Sequence, residues 1–287
     1  MPSLHVVDAT YELFRSWFAV PERKDPQGRE VGAVQGVLST LAVLLRDPDV
    51  THIGCATDHT VASFRNRLYE GYKTGEGLDP DLFAQFSILE DALRALGVTV
   101  WPMIEFEADD AVATATARYR DAFDRIVICS PDKDFAQLVE GERIVMLDRR
   151  REIVYDEEAV IAKFGVRPRS IPDWLALVGD AADGFPGIPA WGKKSAATVL
   201  MEYEAIEAIP GDPAVWTVPV RGAARLARSL AEHRDDAILF KTLATLRRDA
   251  PMDEAPEDLA WRGPGDAFEA FCENLGSPAL AARFRTT

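Results

Sequence analysis

Short apolar runs that each end on an acid set the rhythm of the first half of the chain. Leu4–Val7 is closed by Asp8 and reads as a buried strand whose C-terminal end presents that carboxylate. His52–Thr57 is a second such run, ending at Asp58. Between them, Val34, Val37, Leu38, Leu41, Leu44 and Leu45 recur at helical spacing and predict an amphipathic helix over Gly32–Leu45. Phe83–Leu96 predicts another helix, closed by Gly97. Val98–Met103 predicts a third strand, followed by the turn Glu107-Ala-Asp109-Asp110 and a helical pattern over Ala111–Tyr119. Arg125–Cys129 predicts a fourth strand, running into Ser130-Pro-Asp132-Lys-Asp134. Ile144–Leu147 and Ile153–Tyr155 predict a hairpin or an edge pair.

Strands alternating with helices over roughly the first 165 residues predict an α/β fold with a mainly parallel sheet covered on both faces. Beyond Val166 the pattern turns helical, and Pro210, Gly211, Pro213 and Pro219 mark 210–220 as a loop between helices. No internal repeat or low-complexity tract occurs. The expected division is an α/β core over 1–170 and a helical part over 171–287, with a helical extension at Asp266–Arg283. A chain of 287 residues suffices for one large or two modest domains.

Composition narrows the class. At 47% hydrophobic and 28% charged residues the chain is an ordinary globular one. Cys55, Cys129 and Cys272 are far apart, odd in number and outside any zinc spacing, which suits a reducing, cytoplasmic setting with buried thiols. The N-terminus lacks the charged and apolar regions of a signal peptide. No run approaches the roughly 18 uninterrupted apolar residues of a membrane span. The formal charge of −15 argues, taken alone, against a polyanionic partner.

The distribution of the acids changes that picture. Asp8 and Asp58 each end a strand; Glu107, Asp109 and Asp110 sit at a strand-to-helix turn; Asp132 and Asp134 follow the fourth strand; Asp180 and Asp183 lie in Val178-Gly-Asp-Ala-Ala-Asp-Gly. Acids placed just after strands occupy the edge where open α/β sheets carry their sites. Hard divalent cations such as Mg²⁺ and Mn²⁺ take oxygen ligands, so a convergence of these groups would be a metal site. Asp132 and Asp134 at i, i+2 can point the same way, and Asp180 and Asp183 share a face if their segment is helical, as do Glu107 and Asp110. Each acid alone reads more readily as a solvated charge or a helix cap than as a ligand. Setting these nine aside leaves 38 acids against 32 bases, a balance of −6. The remaining surface is only mildly acidic and leaves room for basic patches.

Six stretches in this order carry a resemblance: VVDATYELFRSWFA, TDHTVASFRNRLYEGYK, EADDAVAT, SPDKDFAQLV, VGDAADGFPGIPAWGKKSA and VRGAARLARSL. From about Leu4 to about Asp249 the chain resembles the 5′-3′ exonuclease and flap endonuclease family, including the 5′-nuclease domain of bacterial DNA polymerase I. The resemblance implies a PIN-like nuclease core and a helix–three-turn–helix DNA-binding element. It implies a first metal set of Asp8, Asp58, Glu107, Asp109 and Asp110, with Asp132 shared or adjacent, and a second set of Asp134, Asp180 and Asp183. Arg65, Tyr72 and Lys73 match the segment that meets the scissile phosphate and stacks on a base. Gly187, Gly192, Lys193 and Lys194 match the element that grips duplex phosphates, often around a K⁺ held by loop carbonyls. Arg221 and Arg225 either extend that grip or lie on an ordinary solvated helix face.

The implied activity is hydrolysis of DNA near a 5′ end, at a flap, nick or recessed end, with two Mg²⁺ or Mn²⁺ ions and no organic cofactor. An RNA-primed 5′ strand is among the substrates left open. With no polymerase region after Thr287, the resemblance implies a stand-alone nuclease in primer removal or repair, with a monomer as the default state. Two rivals stay open: a non-catalytic structure-specific DNA-binding protein of the same fold, and a metal-dependent phosphatase acting on small esters. Two stretches depart from the family. Thr74–Asp79 stands where a basic, proline-bearing run is usual, which bears on how a 5′ strand is threaded. Ala190-Trp191 stands where Gly-Val is usual.

Overall fold

The structure, a computed structural model, describes residues 2–284; the outermost ends of the two expected parts, residue 1 and residues 285–287, lie outside the described residues. Along the chain run β1 (Ser3–Asp8), α1 (Ala9–Ala19), α2 (Gly32–Leu44), β2 (His52–Asp58), α3 (Arg65–Leu68), α4 (Pro80–Ala95), β3 (Thr99–Met103), α5 (Ala108–Arg118) and β4 (Arg125–Cys129). Then follow β5 (Ile144–Asp148), β6 (Ile153–Tyr155), α6 (Glu157–Phe164), α7 (Ile171–Val178), α8 (Lys193–Tyr203), α9 (Ala223–Glu232), α10 (Arg234–Ala244) and α11 (Phe268–Asn274).

These elements group into two compact units, each made of more than one stretch of chain. One unit holds the chain up to Val61, Gly75–Ser130 and the chain from Arg247 onward; the other holds Ala62–Thr74 and Pro131–Leu246. The C-terminal extension therefore belongs with the α/β core. The reason is specific bonding: Trp261 Nε1 donates to Leu96 O at 3.0 Å, Gly265 N to Ala95 O at 3.0 Å, and Gln35 Nε2 to Leu275 O at 2.9 Å.

In the first unit, β3, β2, β1 and β4 lie side by side in that order, all parallel. Leu4 pairs across to His52 on one side and Ile126 on the other, so the carboxyl ends of the strands share one edge. The strand order reverses direction at β1 and β4, and such a switch point opens a crevice at that edge. Central β1 is buried along its whole length, which explains why Leu4, Val6 and Val7 fall on both of its faces. Leu4, Val6, Val7, Val34, Val37, Leu38 and Leu41 form the dry centre of the core. Helix α5 packs on β1, β2 and β3, and its Ala111, Ala113 and Ala115 are small enough to allow close approach. Trp101 on β3 stacks over Tyr119 at 6.4 Å, and its Nε1 donates to Glu254 at 3.0 Å. Burying an aromatic side chain of this size is worth about 4–6 kcal/mol.

In the second unit, α7 packs against α8 and α10. Phe185 stacks on Phe240 at 5.4 Å, and Tyr69 meets Phe240 edge-on at 5.7 Å. The antiparallel pair β5–β6 forms the expected hairpin. No helix among the described residues is long and apolar enough to cross a membrane.

Candidate metal centre and nucleic-acid interface

The C-terminal edge of the parallel sheet carries the first group of acids. Asp8 ends β1 and caps α1: its Oδ1 accepts from Tyr11 N at 2.9 Å, and its Oδ2 accepts from Ser130 Oγ at 3.1 Å. Asp58 ends β2; its own N–H donates to Thr10 Oγ1 at 2.8 Å, and its Oδ1 accepts from Ala108 N at 2.8 Å. Glu107 and Asp110 frame the start of α5, with Glu107 N donating to Asp110 Oδ2 at 3.0 Å. Asp8, Glu107 and Asp110 are buried, while Asp58 and Asp109 are half-buried. Backbone donors thus fix these carboxylates at consecutive strand ends, as the strand pattern predicts.

The second unit holds a tighter group. One oxygen from each of Asp134, Asp180 and Asp183 lies within 4.8 Å of the others. Asp132 stands beside them as the cap of a 3₁₀ turn over Lys133–Leu138, its Oδ1 accepting from Asp134 N at 3.0 Å. Asp180 and Asp183 meet across a turn, not along a helix. Gly179, at φ +90°, ends α7, and Asp180 and Phe185 exchange backbone hydrogen bonds at 2.8 and 3.0 Å. Gly184, at φ +86°, lets that turn touch the chain at Gly71, where a Cβ would lie 2.0 Å from the Gly71 carbonyl oxygen. Lys73 N donates to Asp183 O at 3.2 Å, and the Lys73 Nζ lies 3.9 Å from Asp183 Oδ1.

The electrostatics of this group are those of too many carboxylates for the cations present. Burial, then neighbouring Asp132, pushes the Asp134 carboxyl well above the usual range, although Lys133 pulls it down. Burial alone would lower the Lys133 ammonium, but Asp134, Asp180 and Asp132 outweigh it and hold the pKa above its ordinary value. The two directions agree in meaning: Lys133 stays charged, and the group still lacks positive charge. Asp134 Oδ1 is buried without a hydrogen bond. A buried carboxylate oxygen in that state suits a hard cation, so the donor set fits Mg²⁺ or Mn²⁺.

The other expected site residues fall into two kinds. Lys193 and Lys194 are exposed at the start of α8, beside exposed Gly192, while Gly187 is buried in the preceding loop. Arg221 and Arg225 are exposed, and Arg228 is exposed one turn further along α9. Arg228 shares a face of α9 with Arg225 by their i, i+3 spacing, while Arg221 precedes the helix. Trp191 is buried, its Nε1 donating to Leu226 O at 3.2 Å, so it packs on α9; Ala190 takes φ +73°, where glycine is at ease.

Arg65 and Tyr72 are of the other kind. Arg65 is 1% exposed; its Nε donates to Leu243 O at 2.9 Å and its Nη2 to Thr245 O at 3.2 Å. Expected at the scissile phosphate, its guanidinium is placed instead in the core of the second unit, tying α3 to the end of α10. Tyr72 is 2% exposed and lies inside, where it offers no open stacking face. Ser130 and Lys133, which hold or face the acids, carry no sequence signal of their own beyond their position between the strand and the acidic pair.

A sheet with acids at its carboxyl edge and a helical unit with basic helix starts describe a class of nucleic-acid enzymes, and the comparisons agree. A family model described as "5'-3' exonuclease, N-terminal resolvase-like domain" matches residues 3–165, and one described as "5'-3' exonuclease, C-terminal SAM fold" matches 166–267. The chain belongs to the 5′-3′ exonuclease family. It is 31% identical to a 5′-3′ exonuclease of Aquifex aeolicus over 92% of this chain and 88% of that one. It is 30% identical to DNA polymerase I of Bacillus caldotenax over 96% of this chain, and spans about a third of that relative's length (32%). The T5 5′-exonuclease structure with bound zinc shares the fold at TM-score 0.71 and 17% identity, covering 97% of this chain and 99% of that one. The catalytic core of Rad2 in complex with DNA substrate does so at 0.64 and 17%, covering 98% and 90%.

Proposed function

We propose that this chain is a divalent-metal-dependent, structure-specific 5′-nuclease that hydrolyses DNA phosphodiesters near a 5′ end. The observation that carries this reading is the convergence of Asp134, Asp180 and Asp183, with a buried oxygen lacking a hydrogen bond, in a member of this family. Asp134, Asp180 and Asp183 would hold one cation, and Asp8, Asp58, Glu107, Asp109 and Asp110 the other. When bound, such cations polarise a phosphate and supply a nucleophilic hydroxide at neutral pH. Lys73, half-buried beside Asp183, would face phosphate charge. Lys193, Lys194, Arg221, Arg225 and Arg228 would bear on duplex phosphates without reading bases, and the loop around Gly187 is where a K⁺ would sit. The products would be a 5′-phosphate and a 3′-hydroxyl. Three buried free thiols support work in a reducing compartment; the reading takes the protein as a monomer acting in primer removal or repair.

The test is cleavage of labelled 5′-flap, nicked and blunt duplexes with Mg²⁺ or Mn²⁺ by the wild type and Asp183→Asn. The wild type should cut and the variant should bind without cutting. If both are inert with either cation, the nuclease reading is wrong. Tight flap binding with no cleavage by either would leave a non-catalytic DNA-binding protein.

A further inference from the structure

Lys133 stands between Asp132 and Asp134 in the chain and inside the acidic group in space. Its Nζ lies 2.6 Å from Asp180 Oδ2 and 3.6 Å from Asp134 Oδ1. Both oxygens are buried and, the ammonium apart, without a hydrogen bond; among the described residues Glu30 Oε2 is the other carboxylate oxygen in that state. The ammonium therefore stands at the two atoms that have no other donor. Asp134 is 6% and Asp180 5% exposed, so solvent screens this group poorly.

We propose that the Lys133 ammonium is the resident counter-cation of the Asp134–Asp180–Asp183 trio, and that a divalent cation enters the trio by displacing it. This rests on the reading of the trio as a metal site. Mg²⁺ binds carboxylate oxygens at about 2.0–2.1 Å and demands near-octahedral geometry. An ammonium already facing the same two oxygens competes for the same directions and repels the incoming charge. The side chain is free to leave: it is 34% exposed, and its flexible four-carbon stem can carry the head to water. The lysine thus keeps the metal-free acids from repelling one another, and it sets a threshold that a weakly bound cation does not pass. Once displaced, the ammonium stays tethered one residue from two of the acids, with its charge toward solvent.

Two measurements on the full chain test this. The first is the rate at which Lys133 is acylated by an N-hydroxysuccinimide acetate, read by mass spectrometry with and without Mg²⁺. Lys193 and Lys194, exposed and distant in sequence, serve as references. Lys133 should react several-fold faster with Mg²⁺ while the references hold steady. The second is calorimetric Mn²⁺ binding by the wild type, Asp183→Asn, Lys133→Met and Lys133→Arg. The binding class lost in Asp183→Asn identifies the trio. Lys133→Met should bind that class about tenfold or more tightly than wild type, from the Coulomb term alone, and Lys133→Arg no more tightly than wild type. Unchanged Lys133 reactivity while Mn²⁺ binds the trio, or equal affinity in Lys133→Met, overturns the displacement. If the wild type shows no binding class that Asp183→Asn removes, the metal reading itself fails and takes this inference with it.

Discussion

Asp110 Oδ1 accepts a hydrogen bond from the backbone N–H of Arg247 at 2.8 Å, while its Oδ2 accepts from Glu107 N at 3.0 Å. One fully buried carboxylate therefore both caps α5 and anchors the chain where it returns to the first unit, 137 positions further along the sequence than Asp110. Its fold role and the metal role proposed for it are inseparable in simple variants. Asp110→Ala should destabilise the metal-free protein by about 1–2 kcal/mol, the usual cost of a lost cap and a buried donor left unmet. Asp110→Asn should cost a similar amount, because its amide must aim an N–H at one of the two backbone donors. Urea unfolding in EDTA measures both. An Asp110→Asn protein as stable as wild type would show that the two hydrogen bonds contribute nothing.

The α/β half was legible in the sequence because its strands are short apolar runs, β1 and β2 stopped by an acid, and β1, β2 and β4 sit where those runs predict. Helix α1 was not legible. Its apolar residues do not segregate to one side: Leu13 is 1% exposed and Phe18 81%. Helix α4 begins three residues before Phe83, where the periodic pattern is read to start, at the Asp79 cap and Pro80, a start set by capping chemistry and not by periodicity. The acids were legible as a set, but not their partners. Nothing local says that Arg65 donates to a carbonyl 178 positions away, or that residues past Arg247 rejoin the first unit. Asp180 and Asp183 meet because Gly179 ends a helix, which their i, i+3 spacing does not show.

Asp173 and Lys241 form a buried pair in the second unit. Lys241 Nζ lies 2.8 Å from Asp173 Oδ1 and 2.7 Å from Glu207 Oε2, and Asp173 also accepts from Ile206 N at 2.7 Å. Burial pushes the Asp173 carboxyl up despite these partners. Burial pulls the Lys241 ammonium down, but Asp173 and Glu207 outweigh it and hold it above the ordinary value. Lys241→Met strands the Asp173 charge and should cost about 2–3 kcal/mol, less than a fully enclosed pair because Lys241 is 24% exposed. Glu207→Gln, at the exposed end, should cost under about 1 kcal/mol. The sign in pH follows. Folding holds the Asp173 proton more tightly, so this group's stabilisation falls as pH rises above about 3.9 toward its raised value. The Lys241 contribution is complete below about pH 10.4 and is lost as pH climbs through the raised value. Wild type and Lys241→Met should therefore differ most at neutral pH in chemical unfolding and converge in strong alkali. A constant difference from pH 7 to 11.5 would contradict this.

All three thiols are buried and unpaired with one another, and burial pushes Cys272 up to about 11. At pH 8 its thiolate fraction is on the order of one in a thousand, before access is considered. The native protein should release no thionitrobenzoate from Ellman's reagent at pH 8 over minutes, and three equivalents in urea. One equivalent released at once from the native protein would mean that a thiol is accessible.

Arg65 and Lys73 lie in one motif, yet the structure separates their work. Arg65 is enclosed and donates to two backbone carbonyls, so Arg65→Ala leaves Leu243 and Thr245 short of a donor and opens a cavity. The expected loss is about 2–4 kcal/mol of stability. Lys73 is 36% exposed at its side chain, and its Nζ stands 3.9 Å from Asp183, too open and too long a contact to hold the fold. Lys73→Ala should change stability by less than about 0.5 kcal/mol. Removing a cation aimed at developing phosphate charge should instead slow single-turnover flap cleavage by about 100-fold or more. The decisive comparison is Arg65→Lys against Lys73→Arg. A lysine at 65 lacks the guanidinium fork that reaches both carbonyls, so stability should stay low while the residual protein that folds still cuts. An arginine at 73 keeps the charge, so cleavage should largely recover. Full stability of Arg65→Ala with lost cleavage would return Arg65 to the phosphate and reverse the assignment made from its burial.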